Sequence, residues 1–223
     1  GLAFAASTVD GNLTATATTG NMTDSGALTI SGTSAFTTSA ANATITLSTT
    51  TNAFTGDVTL STTGTSAHAT IDGGTTALGV DASTVGGNLT LTSGEAITDD
   101  GLLTIGGNLS ATTDVNNKAI TFGTLAVDGT VAVTTNGTTG HVTLVNDAGL
   151  AFAASTVDGT LSATATTGDI SDSGAQTILG AATYITSADG SNIILDHASN
   201  TYAAGVTFKA ETDGSEAFGN LTF

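Results

Sequence analysis

Proline, cysteine, tryptophan and arginine are all missing from this 223-residue chain, and Lys118 and Lys209 are its only basic residues. Without cysteine there is neither a disulfide framework nor a thiolate metal site. The redox compartment stays open on that ground, although bacterial surface proteins that cross the periplasm unfolded are expected to avoid disulfides. A formal net charge of -17 argues against nucleic acid, because neutralising phosphates needs a basic surface, and equally against anionic lipid. No run approaches the ~18 apolar residues of a membrane-spanning helix, and the start at Gly1 shows no charged or apolar signal region. No membrane insertion is expected.

Threonine and glycine fill the space: the chain has 50 Thr and 29 Gly. Thr and Val favour pleated strands, Gly marks turns, and helix formers with charged faces are scarce. The composition predicts an all-β protein.

The order of the residues says more. Residues 1–30, GLAFAASTVDGNLTATATTGNMTDSGALTI, return at 149–178 as GLAFAASTVDGTLSATATTGDISDSGAQTI, and a looser copy begins at Ala77. The phrase AST-V-x-G-x-L recurs from Ala6, Ala82 and Ala154, at spacings of 76 and 72 residues. Repeats of this kind bury a core only against their neighbours, as in a solenoid. One elongated domain over 1–223 is expected, with super-repeats at approximately 12–87, 88–159 and 160–223. Opening inside one repeat and stopping inside another, it is expected to be a segment of a longer protein.

A shorter period appears when the strands that follow a glycine are aligned, at Gly11, Gly32, Gly56, Gly87, Gly107, Gly129, Gly159, Gly180 and Gly205. The intervals cycle short, medium and long, which predicts three coils per super-repeat and about nine coils of 20–30 residues in all. That pattern describes a right-handed parallel β-helix. Alternation sets the facing. Leu13 with Ala15, Val58 with Leu60, Leu89 with Leu91, Leu109 with Ala111, Val131 with Val133, Leu161 with Ala163 and Val206 with Phe208 hold the inward parity. Phe36 and Tyr184 occupy the same place in different repeats, and a buried Tyr there needs a partner for its hydroxyl.

The runs NAFTGDVTLSTTGT at 52–65 and STVGGNLTLTSGEAITDDGLLTIGGNLSATTD at 83–114 resemble the repeat region of large bacterial surface exoproteins of the filamentous haemagglutinin type. The resemblance covers nearly the whole chain. It implies a long extracellular rod on the bacterial cell surface, exported by two-partner secretion and used in adhesion or cell aggregation. The partner would be a host-cell or neighbouring-cell receptor or glycan. The shared residues are turn and core positions, so no functional site comes with it, and the amino-terminal secretion domain of that family is not in this sequence.

Candidate sites are few. On the outward parity, Thr14, Thr16, Thr59, Ser61, Thr90, Thr92, Ser110, Thr112, Ser162 and Thr164 form an expected hydroxyl column that could order water for ice binding or face a glycan. Thr is also a good solvent-facing strand residue, and Ala35, Ala132, Ile185 and Lys209 interrupt the column. The acidic residues mostly stand singly beside Gly, Ser or Asn, and Asp10, Asp72, Asp128, Asp158, Asp189 and Asp213 each precede Gly, which is turn chemistry. Asp99 and Asp100, with Asp24 and Asp172 at equivalent places, are the calcium candidates. Three coils apart, about 14 Å at strand spacing, those copies are expected to be too distant to share an ion. The same separation removes His68 and His141 as a zinc pair, and His197 is an isolated turn residue. No cluster combines His with acidic and basic groups, so polysaccharide-lyase chemistry lacks a base, and neither catalysis nor a cofactor is expected. Seven N-x-S/T sequons, at Asn12, Asn21, Asn42, Asn88, Asn108, Asn136 and Asn220, follow from Asn-led turns. The expected function is a structural, adhesive rod. The alternatives are the subunit of a filament that grows by end-to-end stacking, and ice or glycan binding through the Thr/Ser face.

Overall fold

In the computed structural model, which describes residues 1–210 and 219–223, the chain is a right-handed parallel β-helix of about ten turns, all-β with no helix among those residues. Asp213 lies outside the described residues. Among the described residues every strand pairing is parallel, in sheets of 14, 12 and three strands. On the 14-stranded sheet the turns follow from Leu2 to Met22, Ile45, Ala69, Leu89, Leu109, Val131 and Phe152. Each turn therefore takes about 20–24 residues, and the first and third copies of the repeat start seven turns apart on the same sheet.

The period-2 pattern builds a single core. Leu89, Leu91, Leu109, Ala111, Val131, Val133, Leu161 and Ala163 are all buried to within 1%. They belong to one apolar cluster that runs from Ala15 to Leu195. At about 25 cal/mol per Å² of apolar surface, a thin core of small aliphatics stabilises the fold through its continuity. Phe36 and Tyr184 are both fully buried, as their equivalent places require.

The number of coils per repeat differs from the sequence expectation. The 14-stranded sheet carries the first strand of the first and third copies, Leu2–Phe4 and Leu150–Phe152, whereas the middle copy's Leu78–Val80 lies on the 12-stranded sheet. One super-repeat is thus three and a half turns, and successive repeats face opposite ways. Each turn sets one long strand against two short ones, and the long strand changes sheet at every repeat. Leu13–Ala17, Ser34–Thr38 and Val58–Ser61 stack on one sheet. Above Val58–Ser61 comes the short pair Leu78–Val80 and Ser83–Val85, through Val58↔Val80 and Ser61↔Thr84. Leu89–Ser93 instead continues the opposite sheet, on Ala69–Asp72. The second exchange repeats the first: Thr130–Thr135 is covered by Leu150–Phe152 and Ser155–Val157, through Val131↔Phe152 and Thr134↔Thr156. The two long intervals between glycines are therefore one and a half turns each.

Glycine is required where coils touch at corners. A Cβ on Gly32 would stand 2.7 Å from the Gly11 carbonyl carbon, and one on Gly180 would stand 2.3 Å from the Gly159 oxygen. Left-handed turns stack as well: Asn42 (φ 63) lies under Gly64 (φ 109), and Asn117 (φ 66) under Gly137 (φ 80).

Candidate functional site

The polar residues at the corners bond from coil to coil. Asn12 accepts the Thr33 amide at 3.0 Å, Asn21 that of Thr44 at 3.0 Å, Asn42 that of Ser66 at 3.1 Å, and Asn117 that of Thr139 at 3.2 Å. His68 belongs to the same device. Its Nδ1 accepts the Asn88 amide at 2.8 Å, Asn88 accepts that of Asn108 at 2.9 Å, and Asn108 that of Thr130 at 2.9 Å. His141 Nδ1 likewise accepts the Thr160 amide at 3.0 Å. The two histidines precede strands Ala69–Asp72 and Val142–Asn146 on different sheets, which separates them further than the three-coil estimate did. The sequon asparagines Asn12, Asn21, Asn42, Asn88 and Asn108 all spend their carbonyl oxygens in this way, Asn136 donates to the Thr113 carbonyl at 3.3 Å, and Asn220 gives its amide to Asn192 Oδ1 at 2.7 Å.

The acidic candidates are engaged by donors rather than gathered around a cavity. Asp99 accepts the amides of Gly123 and Thr124, both at 2.7 Å, and the Thr124 hydroxyl at 3.0 Å. Asp24 accepts the amides of Ser48 (3.1 Å) and Thr49 (3.2 Å) and the Asn52 side chain (2.8 Å), and Asp172 holds Asn200 at 2.6 Å. Asp24 and Asp172 end strands of one sheet, and Asp99 ends a strand of the other. The Asp57 carboxyl is pushed up by burial and then by the charges of Asp100 and Asp81. Among the described residues, no three His, Cys, Asp or Glu side chains come together as a metal site. Asp72 makes the expected turn, accepting the Gly74 amide at 2.7 Å. An open groove beside Gly129, Gly149 and Gly168 is edged by Asp128 and Asp169. Asp169 lies below the usual carboxylate range because the Asn192 side chain (2.9 Å) and amide (2.7 Å) both donate to it.

The ten outward hydroxyl residues do not form one column. Thr14, Thr16, Thr59, Ser61, Ser162 and Thr164 lie on the 12-stranded sheet, and Thr90, Thr92, Ser110 and Thr112 on the 14-stranded one. The half-turn between repeats divides them. The register creates other ladders. Thr92, Thr112, Thr134, Thr156, Thr177 and Thr201 are consecutive on the 14-stranded sheet. Thr98, Thr121, Thr143, Ser162, Thr183 and Thr207 are consecutive on the other. The second is one hydroxyl wide over most of its length, because Val145, Ile185 and Lys209 stand two residues further along, whereas Thr90 and Ser110 widen the start of the first before Ala132 narrows it.

Two serines missed in the sequence sit where the long strand changes sheet. Ser83 Oγ accepts the Leu60 amide at 2.9 Å and donates to the Asp81 carbonyl at 2.7 Å. Ser155 Oγ accepts the Val133 amide at 3.1 Å and donates to the Ala153 carbonyl at 3.1 Å. Each fills the gap between the two short strands that cover one long strand, and the recurring phrase AST-V was their signal.

A family described as repeats of unknown function (DUF5649) matches residues 1–61, 66–116 and 139–209, most of the chain. No curated protein and no solved structure matches it.

Proposed function

We propose that this chain, which belongs to the DUF5649 repeats of unknown function, is a structural and adhesive rod segment of a large extracellular bacterial surface protein. The observation that carries the reading is the single apolar core joining the turns from Ala15 to Leu195, with corner residues bonded from each coil to the next. An architecture that devotes its polar side chains to its own length holds a surface at a distance; it has no catalytic role in this reading. The resemblance of 52–65 and 83–114 to exoproteins of the filamentous haemagglutinin type supports placement at the cell surface. The family match speaks to the repeat and not to that kinship.

Display of the segment on the surface of a non-aggregating bacterium tests the adhesive role. Cells carrying it should settle or attach faster than cells carrying the display anchor alone, and identical behaviour would remove adhesion from the reading. The ladder from Thr92 to Thr201 favours a second reading, contact with a glycan or with ordered water. Glycan-array binding or thermal hysteresis that is lost in a Thr134→Val/Thr156→Val variant would establish it.

A further inference from the structure

We propose that the groove beside Gly129, Gly149 and Gly168 binds a lysine-bearing segment of a partner protein, with the lysine ammonium groups on Asp128 and Asp169. The adhesive reading, on which this contact rests for its biological setting, thereby gains a partner of defined chemistry.

The groove follows from the register at one corner. Thr130 pairs with Ala151, and Leu150 with Ile170. Asp128, Gly149 and Asp169 therefore occupy one column in three successive coils. The two carboxylates, both on exposed residues, are two strand spacings apart, about 10 Å, and Gly149 puts no side chain between them. A Cβ on Gly149 would stand 2.9 Å from the Asp169 carbonyl oxygen, and one on Gly168 would stand 2.8 Å from the Gly149 nitrogen. The floor is thus held to bare backbone, under a groove of about 580 Å³. Coils flank it along the axis in both directions: the Gly129 amide donates to the Gly107 carbonyl at 3.1 Å, and the Asn192 amide donates to Asp169 at 2.7 Å. Its shape is set inside the stack and owes nothing to either end.

The middle repeat shows what such a corner holds. Leu78, Ile97 and Ile120 stack there as Leu150, Ile170 and Ile193 do here. Glu95 stands two residues before Ile97 and Lys118 two before Ile120, with the ammonium 2.5 Å from the carboxylate. In the third repeat Ser191 takes the place of that lysine. Among the described residues, Asp169 receives only the neutral donors of Asn192, which stabilise its ionised form. The chain's other lysine, Lys209, is on the opposite sheet. The positive charge that Lys118 supplies to the middle repeat must here come from another molecule.

A net charge of -17 draws basic segments towards the surface. The carboxylate spacing selects among them. Two lysines three positions apart on an extended chain are separated by about 10 Å, which matches the distance from Asp128 to Asp169.

Titration of the full chain with the peptide acetyl-Lys-Gly-Gly-Lys-amide, followed by NMR, tests this. The Gly149 and Gly168 amide signals should shift together and saturate. Asp128→Asn/Asp169→Asn should weaken binding about fivefold or more. Asp10→Asn/Asp189→Asn removes the same charge from two other turns and should leave binding unchanged. Asp128→Asn alone, at a carboxylate with no hydrogen-bond partner among the described residues, should weaken it at least about twofold, which keeps the test decisive if the double variant unfolds. Equal weakening by the two double variants, or no shift of Gly149 and Gly168 at millimolar peptide, would overturn the proposal. Tighter binding of spermidine than of the peptide would assign the groove to free polyamines and overturn it as well. Because the readout is peptide binding, it can fail while displayed cells still attach.

Discussion

The phenolic oxygens of Tyr184 and Tyr202 lie 3.1 Å apart inside the helix. Their rings cross edge-on, as do those of Phe36 and Phe54, which hold the same places 148 residues upstream without hydroxyls. Burial, followed by the bond to Tyr202, pushes the Tyr184 phenol far above its ordinary range. The third repeat thus keeps the aromatic packing of the first and adds one internal hydrogen bond.

The pair should behave as a unit. Tyr184→Phe or Tyr202→Phe alone leaves one hydroxyl unpaired and is expected to cost about 1 kcal/mol or more. The double variant recreates Phe36 with Phe54 and should cost clearly less than the sum of the two. A double-mutant cycle by denaturant unfolding measures this, and additive losses would show that the hydroxyls are independent.

Facing can be tested on adjacent residues. Leu89 is 1% exposed, so Leu89→Asp buries an unpaired charge and should cost at least about 4 kcal/mol. Its neighbour Thr90 points outward, and Thr90→Asp should stay within about 0.5 kcal/mol. Equal shifts in the unfolding midpoint would contradict the facing.

This much was legible in the sequence because a thin core with one inward parity imprints period 2 on every strand. Partnership for the buried Tyr184 followed from the same pattern. The number of coils per repeat was not legible. A glycine-led strand looks alike on either sheet, and only long-range register shows that Ser61 meets Thr84 rather than Thr92. The hydroxyl column failed for that reason. The corner roles of Asp99 and His68 were hidden because their donors lie a full turn away, at Gly123 and Asn88.

Corner packing separates two glycines. Gly180→Ala drives a Cβ to 2.3 Å from the Gly159 oxygen, whereas the corresponding Cβ on Gly11 meets nothing within 4 Å. Thermal unfolding should show a loss of about 1–3 kcal/mol for Gly180→Ala and little change for Gly11→Ala.

The acidic corner of Asp57, Asp81 and Asp100 gives a pH signature. The raised Asp57 carboxyl disfavours the charged form in the folded state. Its penalty is complete above the folded value and vanishes once the pH falls below the unfolded value, about 3.9. Asp57→Asn should therefore raise the unfolding midpoint near pH 7 and lose that gain as the solution is acidified through the carboxylate range. A gain that persists at pH 2 would place its origin elsewhere.

The half-turn between repeats underlies the ladders and the serine plugs, and intrachain cross-linking tests it directly. Oxidation of a Ser61→Cys/Thr84→Cys variant should close a disulfide, because those residues are register partners on neighbouring strands, within the ~4.4–6.8 Å Cα span that a disulfide tolerates. A Ser61→Cys/Thr92→Cys variant should remain reduced, since Thr92 lies on the opposite sheet. Closure of the Ser61–Thr92 pair, with none between Ser61 and Thr84, would mean three turns per repeat and would contradict the account.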